Sequence, residues 1–329
     1  MRRAVQRVAN QPVTGKHRDP ATGPIAVVVA TRDRGPKIVP LLESILASDR
    51  TNFELVIVDQ SSNDETEQAA QPFLVDPRVR YVRSREIGLS RGRNQGIALT
   101  SAPIIAITDD DCAVPTNWLD GMGKPFEDHP RVGLTFCTVE AVPVDKVGLT
   151  PAITFSQNRI LRSAFAAWRH SVKGLSLGAG MAVRRTMYDE VGGFDELLGA
   201  GERFGSCEDN DLSWRGLNAG WWTYQLADVV VAHDGFRDLA ELRQLVIRDF
   251  FGVGGAIAKH IRRGQLTILW FMIGWLVRFG LIGPARELLA GRKPTGLRRP
   301  YMLLRGVVAG FRTPMNKALR MYLPNSSVR

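Results

Sequence analysis

The chain has 329 residues, 44% of them hydrophobic and 23% charged, which suits one or two globular domains and excludes a predominantly disordered protein. Its three cysteines, Cys112, Cys137 and Cys207, lack CxxC spacing, so neither a disulfide framework nor a structural zinc site is expected and a reducing cytoplasm fits. The net charge of +10 is uneven: from Arg237 onward 17 Lys and Arg face four Asp and Glu, leaving 26 against 29 in the preceding part.

Residues 1–24 carry Arg2, Arg3, Arg7, Lys16 and Arg18 with Pro and Gly but no apolar core, which predicts a disordered basic arm and not a cleaved secretory signal. The apolar, β-branched runs Ile25–Ala30 and Phe53–Val58 bracket a helix-compatible stretch, Ile38–Ala47, and predict a βαβ unit. A strand over Val79–Val82, a helix from about Ser90 to Leu99 and a strand over Ile104–Thr108 follow. Fully apolar strands alternating with helices imply a mostly parallel sheet covered on both faces, with ligands at the carboxyl ends of its strands. Thr31, Asp33, Asp59 and Asp109–Asp111 all fall at such ends. Next come a glycine-rich piece, Ser176–Arg185, a helix-like piece, Met187–Phe194, and a helix opened by acidic residues within Cys207–Leu217. After Asp234 the pattern turns to basic, apolar helices, which places a boundary near residue 237.

Adjacent aspartates after a buried strand repel one another unless a cation is present. Asp109 and Asp111 offer hard oxygen ligands for Mg²⁺ or Mn²⁺, a means of neutralising a departing diphosphate, while Asp110 points elsewhere, toward a ribose or sugar. His233, at the end of another apolar run, could add a neutral imidazole to the metal. An acceptor hydroxyl must lose a proton as it attacks, and Glu208, Asp209 and Asp211 are the candidate bases, although acidic residues at a helix start also satisfy its N–H groups. Arg91 and Arg93, beside Asn94 in a segment of small residues, could clamp phosphate oxygens. Trp214, Trp221 and Trp222 could stack on sugar rings or simply pack.

Four motifs in order, VVVATRDR, VDQSSNDET, RGRNQGIALTSAPIIAITDDD, and MAVRRTMYDEVGGFDE followed by CEDNDLSWR, resemble those of the family 2 glycosyltransferases, an inverting group with the GT-A fold. The resemblance runs from Ile25 to Phe236 and implies a GT-A domain over residues 25–236. It implies that Thr31, Asp33 and Asp59 line a nucleobase and ribose pocket with Arg93 and Asn94 nearby, that Asp110 contacts the donor, that Asp109, Asp111 and His233 hold Mn²⁺ or Mg²⁺, and that Asp209 of the Glu208–Asp209 pair is the catalytic base. Two residues depart from the family pattern: Gln60 replaces a second acidic residue, and Gly180 stands where Asn is common, where glycine would let the backbone approach a sugar. The expected reaction moves a sugar from a nucleotide-sugar donor to a glycan or lipid-linked acceptor in envelope or polysaccharide synthesis. A sugar-nucleotidyltransferase is the alternative, but the place of its glycine-rich loop reads ATRDRGPKIVP; an inactive scaffold of the same fold is a second.

Residues 237–329 form the basic, apolar helical part. The stretch Leu266–Gly283 would reach on the order of 27 Å as a helix, marginal for crossing a bilayer, and has basic flanks on both sides. An in-plane or re-entrant segment fits better, peripherally attached to the inner face of the cell membrane through its anionic surface. Nucleic acid is not an expected partner, since no zinc, RNP or heptad pattern is present.

Overall fold

The computed structural model describes residues 23–144, 147–170, 177–291, 293, 296–316 and 321–323; the basic arm expected over 1–24, apart from its last two residues, lies outside them, as do Ser176, Arg292 and Arg320. Strand β1 (Ile25–Thr31) leads through helix α1 (Val39–Leu46) to β2 (Phe53–Asp59), α2 (Glu65–Ala70), β3 (Val79–Arg83), α3 (Leu89–Ala98) and β4 (Ile104–Ile107). Then follow the two-residue β5 (Cys112–Ala113), α4 (Trp118–Asp128), β6 (Val132–Ala141), β7 (Gly148–Leu149), β8 (Arg159–Leu161), α5 (Ala164–His170), β9 (Met181–Arg184), α6 (Arg185–Val191), α7 (Glu208–Asn218) and β10 (Trp222–His233).

One sheet runs in the order β3-β2-β1-β4-β9-β6-β10-β5, with β8 paired to β10. Strands β1 to β4 pair in parallel, whereas β9 inserts antiparallel between β4 and β6, so the sheet is mixed. β6 and β9 escape the sequence reading: a glycine-rich lead-in hides the short β9, while β6 is an apolar run between Pro130 and Pro143 that is not singled out as a strand. All seven residues of β1 are buried because both faces are covered: Ile25, Val27 and Val29 pack with α1 and α4, and Val28 packs with α3, α6 and α7. Two-sided burial of this kind is why the strands read as unbroken apolar runs.

Beyond β10, β11 (Arg237–Asp238) pairs with β7, a short strand that the sequence does not signal. The remainder is helical apart from an isolated bridge between Met315 and Tyr322. Helix α8 (Leu239–Arg262) starts at a capping box: Asp238 accepts from the backbone N–H of Ala240 and Glu241, and Glu241 accepts from that of Asp238. A helical run follows, α9 (Ile268–Trp275), a π-helical turn over Leu276–Ile282, and α10 (Gly283–Leu289), then α11 (Arg298–Arg312). α8 and α11 cross at glycines: a Cβ at Gly254 would strike the Leu303 carbonyl, and one at Gly306 the Phe251 carbonyl. The inner side of this layer joins Trp214 and Leu217 of α7 in one apolar cluster with Phe250, Ile257, Ile268 and Phe271. The outer side exposes Trp270, Ile273, Leu281, Tyr301, Leu304, Val308 and Phe311.

Candidate active site

A cavity of about 650 Å³ opens where β1 and β4 end and α7 begins. Thr31, Asp33, Gln60, Arg93, Asp109–Asp111, Glu208, Asp209 and His233 all line it, although they come from stretches of chain up to two hundred residues apart. Two of its residues, Asp33 (φ 52°) and Cys207 (φ 76°), are the non-glycine residues with left-handed backbone among those described, a strain that is tolerated where a side chain must be aimed. Cys207 turns the chain into α7, so Glu208 and Asp209 sit in its first turn.

Arg93 on α3 is almost fully enclosed and ties the two acidic runs together, donating to Asp109 Oδ1 (2.8 Å) and Glu208 Oε1 (2.9 Å). Its neighbour Gly178 has no room for a Cβ, which would lie 2.8 Å from Arg93 Nη2. Arg34 donates from Nε to Asp110 Oδ1 and from Nη2 to Asp111 Oδ2, both at 2.7 Å. Burial pushes the Asp110 carboxyl up to about 6, with Arg34 opposing and Asp111 adding to it. Burial acts on Asp111 too, but His233 and Arg34 hold it down at about 2. Burial also pushes the Asp209 carboxyl up to about 7, with the neighbouring Glu208 charge in the same direction and hydrogen bonds from Asn210 against it.

The donor set at Asp111 fits a divalent cation. His233 Nδ1 lies 2.8 Å from the Pro151 carbonyl, which can only accept, so that nitrogen carries the proton. Nε2 lies 3.2 Å from the buried Asp111 Oδ1; a protonated ring meets that carboxylate as an ion pair, and Asp111 favours that form, whereas a neutral ring turns a lone pair toward the same oxygen. Two acceptors facing each other at that distance call for a positive charge between or beside them. Cys112 lies in the same cluster, but burial raises its thiol well above the usual range, leaving it a poor ligand for a hard cation.

Several expected contacts are placed elsewhere. Asp59, expected on the donor side, is fully buried and does not line the cavity; it accepts from Ser61 and from the Tyr81 hydroxyl, contacts that brace the strand end. Asn94 also lies off the cavity, because it clamps α3 to the chain after α6: its Oδ1 accepts from Tyr188 (2.5 Å) and the Phe194 N–H, and its Nδ2 donates to the Phe194 carbonyl. Arg91 pairs with Glu196 and Glu202. Gly180 does not open a sugar site, since a Cβ there would meet Cys137 Sγ. Asp211 is buried in an ion-pair network with Arg215, Lys259 and His260. Gln60 is fixed by donating to the Glu86 and Gly88 carbonyls. Trp214, Trp221 and Trp222 stay out of the large cavity; the tryptophan that lines it is Trp275, read in the sequence only as part of an apolar run.

Residues 26–192 match the family described as Glycosyl transferase family 2. The chain is 22% identical over 267 residues to Glycosyltransferase AglE of Haloferax volcanii, covering 77% of this chain and 81% of that protein. It is 26% identical over 182 residues to the Glucosyl-dolichyl phosphate glucuronosyltransferase of the same organism, covering 53% of this chain and 57% of that one. In three dimensions it resembles the mannosyltransferase PcManGT from Pyrobaculum calidifontis in complex with GDP-Man and Mn²⁺, with a TM-score of 0.61 at 19% identity over 93% of this chain and 92% of that one. The mixed sheet flanked by helices is thus a GT-A fold. With half of its length matched by the family and glycosyltransferases among its relatives, the chain belongs to glycosyl transferase family 2.

Proposed function

We infer that this glycosyltransferase is metal-dependent and inverting, moving a hexosyl group from a nucleotide-sugar donor to a hydroxyl of a glycan or lipid-linked acceptor in envelope or polysaccharide synthesis. One observation carries the reading: the strand-end aspartates and the Glu208–Asp209 pair, about a hundred residues apart, line a single cavity and share Arg93. Solved and curated relatives support it, one holding GDP-Man with Mn²⁺ and another named for a dolichyl phosphate-linked substrate.

Asp111 and His233 would hold Mn²⁺ or Mg²⁺, whereas Asp109, the other expected ligand, falls outside their cluster and accepts from Arg93. Such a cation supplies neutralisation of the charge that builds on a departing diphosphate. Asp209 takes the proton of the acceptor hydroxyl as its oxygen bonds to the anomeric carbon and the bond to the nucleoside diphosphate breaks. A carboxyl pushed up to about 7 by burial is matched to that exchange near neutral pH. Glu208 is pinned by Arg93, so it holds charge and geometry and Asp209 is left to move the proton. Thr31, Asp33 and Asp110 form the donor side of the cavity.

The apolar run Ile268–Leu289, whose most apolar 18-residue window has a mean hydropathy of 1.6, and the basic, half-apolar α11 together suit attachment at the inner face of the cell membrane. The domain reading that goes with this places the donor and proton-transfer residues in 25–236 and attachment in 237–329, although Arg237, Leu245, Arg248, Val253 and Trp275 of the second part also line the cavity. A melting-temperature screen of UDP-, GDP- and dTDP-sugars with and without Mn²⁺ tests the donor and metal together: one nucleotide sugar is expected to raise the melting temperature only when Mn²⁺ is present. Stabilisation by none of them would sink the reading.

A further inference from the structure

The large cavity has two unlike sides. The strand-end side is acidic and neutralised by Arg34 and Arg93, whereas the opposite side is built by the C-terminal layer: Leu245, Arg248 and Val253 of α8, Trp275 of α9, and Arg237 of β11. Asp249 lines the same rim and feels the charge of Arg248, so two guanidinium groups stand against one carboxylate there and the rim is cationic on balance, with an apolar backing. A second cavity of about 100 Å³ adjoins it, sharing Cys207, Asn210, Val253 and Trp275 with the first. The rest of its lining is mainly hydrocarbon and aromatic: Trp214, Ala256, Ile257, Ile268 and Phe271. Its polar floor, Asp211 and His260, is occupied with Lys259 and Arg215. Trp275 Nε1 is buried there with no hydrogen-bond partner among the described residues, a donor available to an oxygen at the junction of the two cavities.

Charge and surface type together identify the occupant. A free sugar would leave its hydroxyls unpaired against the apolar lining of the small cavity. A molecule with an anionic head and a hydrocarbon chain satisfies both parts, since its phosphate meets guanidinium groups and its chain removes apolar wall from water. The outer wall of the small cavity, Ile268, Phe271 and Trp275, belongs to the helical run that exposes Trp270, Ile273 and Leu281 on its other side. A chain leaving the small cavity therefore continues onto an apolar, basic surface. We propose that Arg248, Arg237 and the small cavity beside Asn210 form an acceptor subsite for an amphiphile whose anionic phosphate head adjoins a hydrocarbon chain. This rests on the glycosyltransferase reading above and narrows its acceptor to the lipid-linked class.

The test uses the full chain and decyl phosphate below its micelle concentration, with inorganic phosphate and decyl maltoside as head-only and tail-only probes in titration calorimetry. Decyl phosphate is expected to bind at least tenfold tighter than either probe, and Arg248→Gln, at an exposed position where folding is undisturbed, is expected to weaken it about tenfold. A terminally brominated decyl phosphate should quench tryptophan emission, and Trp275→Phe should remove much of that quenching. Equal binding of decyl phosphate and either control probe overturns the proposal. So does an Arg248→Gln variant that loses affinity for UDP or GDP but keeps it for decyl phosphate, since that arginine then serves the donor. Failure of wild-type protein to bind any nucleotide sugar would strike the underlying reading instead, and leaves a distinct signature.

Discussion

Two acidic runs approach each other in this protein, Asp109–Asp111 after β4 and Glu208–Asp211 opening α7, and their charge is managed in opposite ways. The first run is countered by arginines that reach in from the cavity, Arg93 on Asp109 and the partly exposed Arg34 on Asp110 and Asp111. Those of Arg34 are open to exchange for a cation or a ligand. In the second run Glu208 shares Arg93 with Asp109, but Asp211 is countered from behind: it and its partners Arg215 and Lys259 have no exposed side-chain surface at all. Lys259 also reaches Asp195 at 2.7 Å, so the layer after residue 237 is locked to the start of α7 and to the loop after α6. Identical side chains thus become exchangeable ligands or fixed struts according to which direction their countercharge comes from.

The largest expected effect comes from Asp209, whose carboxyl burial and the Glu208 charge push up. Asp209→Asn keeps the shape and removes the base, and should lower kcat by ~10²–10⁴-fold while donor binding, read by melting temperature, stays within twofold. In the wild type kcat/KM should rise about tenfold per pH unit below a break near 7 and level off above it, because the deprotonated form is the active one. A profile flat from pH 5 to 8 would contradict the assignment of the base. On the exchangeable side, EDTA should abolish transfer and Mn²⁺ restore it, and Asp111→Asn should weaken Mn²⁺ binding about 10-fold or more in an equilibrium titration, by loss of a charged ligand. Full activity in chelator would break the comparison at its first term.

The strut predicts stability before chemistry. Lys259→Met leaves Asp195 and Asp211 buried with one countercharge fewer, and should cost ~3–5 kcal/mol in denaturant unfolding. A loss below about 1 kcal/mol would show that the network is a bystander. The same variant should lower kcat more than it raises the donor KM, since it frees the helix that bears Asp209 and leaves Thr31 and Asp33 in place.

What the sequence disclosed and what it hid follow the same division. Strand-end aspartates and the Glu-Asp pair are legible because a strand's carboxyl end and a helix's first turn are local features, set by a few neighbouring residues. Arg93 could be placed near the site but not identified as the bridge between runs 16 and 115 residues away in sequence, because that contact exists only after the sheet has closed. Lys259 reads as one more basic residue in a basic tail, and only its burial between two carboxylates gives it a role. Asp59 shows the converse: it falls at a strand end like Asp109, yet Ser61 and Tyr81 fold over it and take it out of the cavity. In each case the deciding contact is non-local, which is where pattern reading stops.

The smallest effect sharpens the comparison most, because it reads Asp209 without any substrate. A carboxyl held near 7 in the folded chain but near its ordinary value when unfolded binds more protons in the native state between about pH 4 and 7. The native state should therefore lose stability as pH rises through that window, unlike Asp211, which lies well below its usual range and strengthens folding as it ionises. Asparagine mimics the neutral acid at every pH. The stability of Asp209→Asn relative to wild type should accordingly grow from pH 4 to pH 7, by ~1–4 kcal/mol at most, since one pKa unit corresponds to about 1.4 kcal/mol. A difference that stays constant across this range would mean that Asp209 is already ionised at pH 4, and that burial and the Glu208 charge do not hold its proton.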